Sequence, residues 1–391
     1  MRLKLKREGL LFIIMLSVFS TLAFSQIKIS GVILDKKSEL PVQNVSVLKE
    51  GKLLAISNET GEFEINISSV PSVITFRHIG YVNFQEEIKS ADDYKKVLLE
   101  SGLITLPELV NKFSAEKIVN NVIRKSLMDT FSREIFYSHY KDISKENGKV
   151  GKFHEMFLNL SWGQLGVDKW EPVQVRYGQL SNSLFASPNS RSLAFIRSSV
   201  LNRKNNLPLN VDFLNQDIYE LKIKNYLNMG KENELVIISC KPKLIQKEDG
   251  VGHFLGDIYI DQINDNIKRI NGTISNKKDV MGFVRSINID VHYIINSRGF
   301  SEFSHLELIE SVNSNKFRDK KTSHVSLIVL EKVGKFRTNK VFSFFSKDDM
   351  LSLKNETYNP KFWEENTPKQ LTKLEKDAIK FFEKEKLIKG N

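Results

Sequence analysis

The stretch INIDVHYII, residues 287–295, alternates apolar and polar residues one by one. Ile287, Ile289, Val291 and Tyr293 fall on one side of an extended chain; Asn288, Asp290 and His292 fall on the other. A period of two fits a β-strand and excludes a helix. The same spacing recurs at Ile27, Ile29 and Ile33, at Phe63, Ile65 and Ile67, and at Ile74 and Phe76. Turn residues punctuate these runs at Glu50-Gly51, Thr60-Gly61 and Asn264-Asp265-Asn266. Such a chain folds mainly as antiparallel sheet.

Residues 1–25 stand apart. Arg2, Lys4, Lys6 and Arg7 precede the apolar run LLFIIMLSVFSTLAF, and Ala23 and Ser25 suit the small positions of a cleavage site. This is the layout of a secretory signal peptide, removed near Ser25 to leave Gln26 first. The run is short for a bilayer span, which needs about 20 residues. No cysteine lies near the site to take a lipid. The expected destination is the periplasm or the outer membrane.

Residues 26–100 read as short strands at regular spacing: IKISGVIL, VSVLKEGKLLAIS, GEFEINI, SVITFR, VNFQEEI and KKVLL. Seven strands of that size suit a β-sandwich. Gly31, Gly61 and Gly80 are placed for bends or close backbone approach. ISGVILD, PVQNVSV, SNETGEFEI and ITFRHIGY together resemble the carboxypeptidase-regulatory-like domain, a transthyretin-like sandwich common in exported proteins of the Bacteroidota. That resemblance implies a sandwich with Tyr81 packed at its end. In relatives the domain precedes peptidase domains or the plug and barrel of TonB-dependent receptors, and the motifs of neither partner occur here.

Residues 101–132 form a connector and an amphipathic helix, with Ser114 as N-cap and Ile118, Val119, Val122, Ile123 and Leu127 on one face. Residues 133–391 return to strands, with one apolar face for a covering layer and one polar face for water. A Ser- and Asn-rich insertion, 177–210, interrupts them; a ligand mouth would be sought there. The tail carries an aromatic-proline cluster, Tyr358, Pro360, Phe362 and Trp363. The capping box Thr372-x-x-Glu375 follows, opening a helix with Leu371, Leu374, Ala378, Phe381 and Phe382 towards the core. This half resembles uncharacterised envelope proteins whose middle region is an open half-barrel related to lipoprotein-sorting proteins. The expected fold is mainly β with an α+β C-terminal region: a seven-stranded sandwich, then a larger antiparallel, half-barrel-like sheet with covering helices. A closed outer-membrane barrel fits less well, because Lys and Glu fall on both faces of several strands and a charged helix ends the chain.

Little chemistry is written in the chain. Cys240, the one cysteine, sits in the apolar run ELVIISC and reads as a packed thiol. HEMFL at 154–158 begins like a zincin motif but has Leu158 where the second His belongs. His78 is a lone strand histidine. No G-x-S-x-G elbow or P-loop occurs. Asp290 and His292, side by side on one strand face, form the best acid/base pair, and solvated strand residues are the plainer reading. No residue is nominated as catalytic, cofactor-binding or metal-ligating, and no cofactor is implied. Net charge is +11, or +8 once the leader's four basic residues and Glu8 are removed, and it is spread along the chain. That argues against nucleic acid and allows peripheral attraction to an anionic surface. The leading expectation is a non-catalytic envelope protein that binds a protein, glycan or lipid. The alternative is a carrier of an apolar ligand in a half-barrel cavity, and an unfamiliar enzyme is the third reading.

Overall fold

The computed structural model describes residues 27–90, 95–104, 114–128, 134–163, 166–180, 219–228, 234–243, 253–275, 283–314, 319–338, 341–343, 359–366, 368 and 371–390. The expected signal peptide, most of the 177–210 insertion and Tyr358 lie outside these residues. The chain divides into two compact units, one of residues up to 78 with 83–99, the other of 79–82 with residues from 100 onward.

The first unit has seven strands in two sheets. One sheet has the order β4 (Glu62–Ile67), β1 (Ile27–Asp35), β7 (Lys95–Leu99); the other has β3 (Lys52–Ile56), β2 (Ser46–Lys49), β5 (Ser72–Arg77), β6 (Phe84–Ile88). The expected alternation holds. Phe63, Ile65, Ile67, Ile74 and Phe76 are buried, whereas Val73 and Arg77 point to solvent. Phe63 and Phe76 meet edge to face, ring centroids 5.4 Å apart, a preferred aromatic geometry. Gly31 is required by close approach: a Cβ there would lie 2.2 Å from the Lys95 carbonyl oxygen. Tyr81 is grouped by its backbone outside the sandwich. It belongs to the second unit, where it bridges Ser101.

The second unit is one large sheet, antiparallel throughout. Its ten long strands are β9 (Glu134–Glu146), β10 (Lys149–Gly163), β11 (Gly166–Gln179), β12 (Tyr219–Leu227), β13 (Leu235–Pro242), β14 (His253–Asp261), β15 (Asn266–Ser275), β16 (Phe283–Ile295), β17 (Ser301–Ser314) and β18 (Asp319–Val333). Their spatial order is β11-β10-β9-β18-β17-β16-β15-β14-β13-β12. The chain builds three strands outward from β9 to β11, re-enters at the opposite end of the sheet with β12, and returns through seven. β8 (Leu103–Ile104) pairs with β12. β19 (Phe342–Ser343) and β20 (Ile388–Gly390) pair with β11. No strand pairing joins the two ends among the described residues.

Helix α1 (Ala115–Met128) covers one face. Ser114 caps it through a bond from the Lys117 N–H, 3.2 Å, and Ile118, Val119, Val122 and Ile123 are buried as the spacing predicts. They join an apolar layer that includes Tyr140, Met156, Trp170, Ile238, Ile270 and Leu327. The opposite face is not the bare polar face expected from sequence. Over β9–β11 it is covered by α2 (Pro360–Glu365) and α3 (Lys373–Lys384). Asn359 caps α2, with Pro360 in its first turn, and the predicted capping box of Thr372 and Glu375 opens α3. Ala378 and Phe382 of α3 face the core, whereas Leu374 and Phe381 are exposed.

Gly256 and Gly272 face each other across β14 and β15, under the buried ring of Phe254. A Cβ on either would lie 2.6 Å from that ring and 2.5 Å or less from a neighbouring carbonyl oxygen. Gly256→Ala and Gly272→Ala are therefore each expected to lower stability by about 1–3 kcal/mol through overpacking. Urea unfolding checks this: a lowered midpoint at unchanged slope is the expected result.

Candidate functional site

On the face opposite α1, alternate residues of β9 and β10 are Tyr137, His139, Lys141, Ile143 and Phe153, Glu155, Phe157, Asn159. The strand period sets a carboxylate between two phenylalanines, so Glu155 enters an apolar layer. It is fully buried and doubly paired. His139 Nε2 lies 2.7 Å from its Oε1, and Arg176 of β11 donates from Nε to its Oε2, also at 2.7 Å. Burial alone would raise the Glu155 carboxyl. The Arg176 guanidinium and the His139 ring outweigh that and bring it to about 2. Burial pushes His139 below its ordinary value. At neutral pH the ring is neutral and donates its Nε2 proton to an ionised carboxylate.

The same cluster holds the C-terminal helices. The Arg176 guanidinium lies 4.4 Å from the centroid of the Trp363 ring and 5.2 Å from that of Phe153. Phe362 and Trp363 of α2 pack on Phe157 at 5.2 and 5.4 Å. Lys141 forms an ion pair of 2.6 Å with Glu375 of α3, both buried. Burial alone would depress the Lys141 ammonium; Glu375 and Glu155 outweigh it and hold it above its ordinary value. Glu375 also accepts the Thr372 N–H at 2.7 Å, so one carboxylate both starts α3 and anchors it. Asn159 donates to Glu171, which also accepts the backbone N–H groups of Arg337 and Thr338 and so fixes the chain after β18.

Asp290 and His292 lie on the face of β16 turned away from α1. They are adjacent as the strand period requires, His292 Nε2 being 3.0 Å from Asp290 Oδ1. They are not the solvated residues expected from sequence: both are more than nine-tenths buried. Arg269 of β15 grips Asp290 through two parallel bonds of 2.7 and 2.8 Å. Burial would raise the Asp290 carboxyl, but His292 and Arg269 take it well below its usual range; burial pushes His292 down. The His292 ring stacks on His305 with centroids 4.0 Å apart. A general base needs reach to a substrate proton. This carboxylate is bound on both oxygens inside the fold.

The motif fragment HEMFL dissolves in three dimensions. In a strand, consecutive residues point to opposite faces. His154 sits on the α1 side, against the rings of Tyr140 and Tyr177, while Glu155 points the other way. Cys240 is buried, and burial pushes its thiol up to about 12. Among the described residues no three His, Cys, Asp or Glu side chains gather as a metal-ligand set. Sequence reading missed His139, Glu155, Arg176 and the docking role of Glu375. The available signal was Glu155 on the Phe153–Phe157 face.

Residues 29–110 match the model of the CarboxypepD_reg-like domain. No curated protein matches the chain. Among solved structures, it is similar to a LolA superfamily protein from Nitrosomonas europaea, at 10% identity and TM-score 0.21 over 56% of this chain and 94% of that one. It is also similar to a membrane-associated protein of unknown function from Bacteroides fragilis, at 9% identity and TM-score 0.16 over 79% and 99% of the two chains. The Pseudomonas aeruginosa MucA/MucB complex is similar at 7% identity and TM-score 0.16 over 55% and 93%.

Two predictions follow from these charges. Removing one partner of a buried pair leaves the other uncompensated, so Arg176→Ala is expected to cost about 3–5 kcal/mol of stability in urea titration. The second concerns Glu302, half-buried beside Glu134. Burial, a hydrogen bond to Glu134 and the charge of Glu134 raise its carboxyl to about 7. The folded state thus holds this proton more tightly than the unfolded chain. The stability it confers is complete below the ordinary value of 4.5 and is lost as pH rises through about 7. Relative to Glu302→Gln, the native protein should lose roughly 1–2 kcal/mol between about pH 5 and pH 8, allowing for partial exposure. A stability difference that stays constant across this range contradicts the assignment.

Proposed function

We propose that this chain is an exported, non-catalytic envelope protein that acts as an adaptor or binding protein. The match of residues 29–110 to a CarboxypepD_reg-like domain carries this reading, since such domains are regulatory rather than catalytic. The buried charges support it. Glu155 and Asp290, the carboxylates nearest to histidines, are each bound by an arginine inside the fold. Their partners hold strands and helices in place. The basic and apolar leader of residues 1–25 supports export to the periplasm or the outer membrane. The partner class is an envelope protein or a glycan.

One observation favours a second reading, carriage of an apolar molecule. The α1 face is a continuous apolar layer from β9 to β18, with α1 as its covering helix among the described residues. An apolar guest could lie between such a helix and sheet if the helix moved.

Both readings are tested on protein recovered from its native envelope. The expected N-terminus is Gln26, and mild cross-linking should retain an envelope protein or glycan in fixed ratio. Solvent extraction followed by mass spectrometry should yield no stoichiometric lipid. A bound lipid would replace the adaptor reading with the carrier. An intact Met1 terminus in the cytoplasmic fraction would contradict export.

A further inference from the structure

Helix α3 presents two unlike faces. Glu375, Ala378, Ile379 and Phe382 are buried against the sheet. At about 100° per residue, Lys373, Lys380 and Lys384 fall within an arc of about 40° on the opposite side, with Asp377 beside them. All three lysines are exposed, and no ion pair is formed by any of them among the described residues. Leu374 and Phe381, one heptad apart, flank this stripe and are 39% and 42% exposed. Lys376 and Glu383 lie on one side, about 60° and 80° from the centre of the stripe, and Glu385, the C-cap, lies on the other.

We propose that this face of α3 is a docking surface for an anionic lipid membrane. The lysine stripe would meet the headgroups, with the Phe381 ring and Leu374 seated at the acyl boundary. An interfacial helix needs a cationic polar face next to aromatic or aliphatic anchors, and α3 has both on its free side. Lys141 and the capping box hold the helix from its other side, so the surface is rigid before it meets a membrane. Basic side chains each add binding near an anionic surface and lose it with salt. A protein partner is the weaker fit, because three parallel lysines offer it little apolar area to bury.

The proposal is independent of the adaptor reading, because lipid vesicles contain no protein or glycan. The test is flotation of the purified protein with phosphatidylcholine vesicles, with and without phosphatidylglycerol. Residues 1–25 carry four basic residues beside an apolar run and bind anionic vesicles themselves; that share is common to all variants, so the readout is the difference between variants. The native protein is expected to float with anionic vesicles, more than with neutral ones, and to be released by salt. Lys380→Gln should weaken the α3-dependent share roughly fivefold, and the triple change Lys373→Glu, Lys380→Glu and Lys384→Glu should reduce binding to the share carried by residues 1–25. Phe381→Ser should weaken it severalfold without changing the salt dependence. Equal binding to both vesicle types, no binding to either, or binding unchanged in the triple variant and in Lys380→Gln would overturn the proposal.

Discussion

The second unit depends on one strand pairing. β9 and β18 lie side by side, paired from Ile135 with Val333 to Glu146 with Lys321 across one irregularity between Val329 and Glu331. Every other neighbour among the ten long strands is also next in sequence. Among the described residues this strand pairing alone joins the three-stranded piece β9–β11 to the seven-stranded piece β12–β18. Closing so long a loop carries an entropic cost before any contact forms. The seam offsets it by burying side chains on both faces. Phe136, Tyr140, Val325 and Leu327 join the α1 layer; His139, Lys141, Ile143 and Ile328 are buried on the other side.

The charged residues make sense against that seam. His139 and Lys141 belong to β9, and their partners come from β10 and α3. A register slip of one residue would turn both to the apolar α1 face, where they would have no partners. The ion pairs thus select one register and one docking position for α2 and α3. Buried charges more often fix an arrangement than strengthen it. The same logic applies to Arg269 and Asp290, which lock β15 to β16 by a two-pronged bond. Groups committed in this way position backbone.

Much of this was legible in the sequence. INIDVHYII announced its strand, Ser114 and Thr372 announced their helices, and Glu50-Gly51 announced a hairpin whose turn residues both take positive φ. These are local signals, set by period and by backbone chemistry. The order of the ten strands was not legible, because nothing in EIFYSHYKDI names SHVSLIVLEK as its neighbour over other strands of equal character. Asp290 and His292 looked solvated because alternation shows which residues share a face, and says nothing of what covers it. Glu375 was read as a cap, and its second bond to Lys141 exists only once β9 and α3 meet.

Native-state hydrogen exchange of the second unit tests the seam most directly. If β9–β18 makes one cooperative sheet, the central amides of β9, β10 and β18 exchange only through the same global opening as those of β13–β16. If β9–β11 exchange together at a clearly lower free energy while β13–β16 stay protected, the sheet is two pieces in loose contact. In that case the buried charges do not hold it as described.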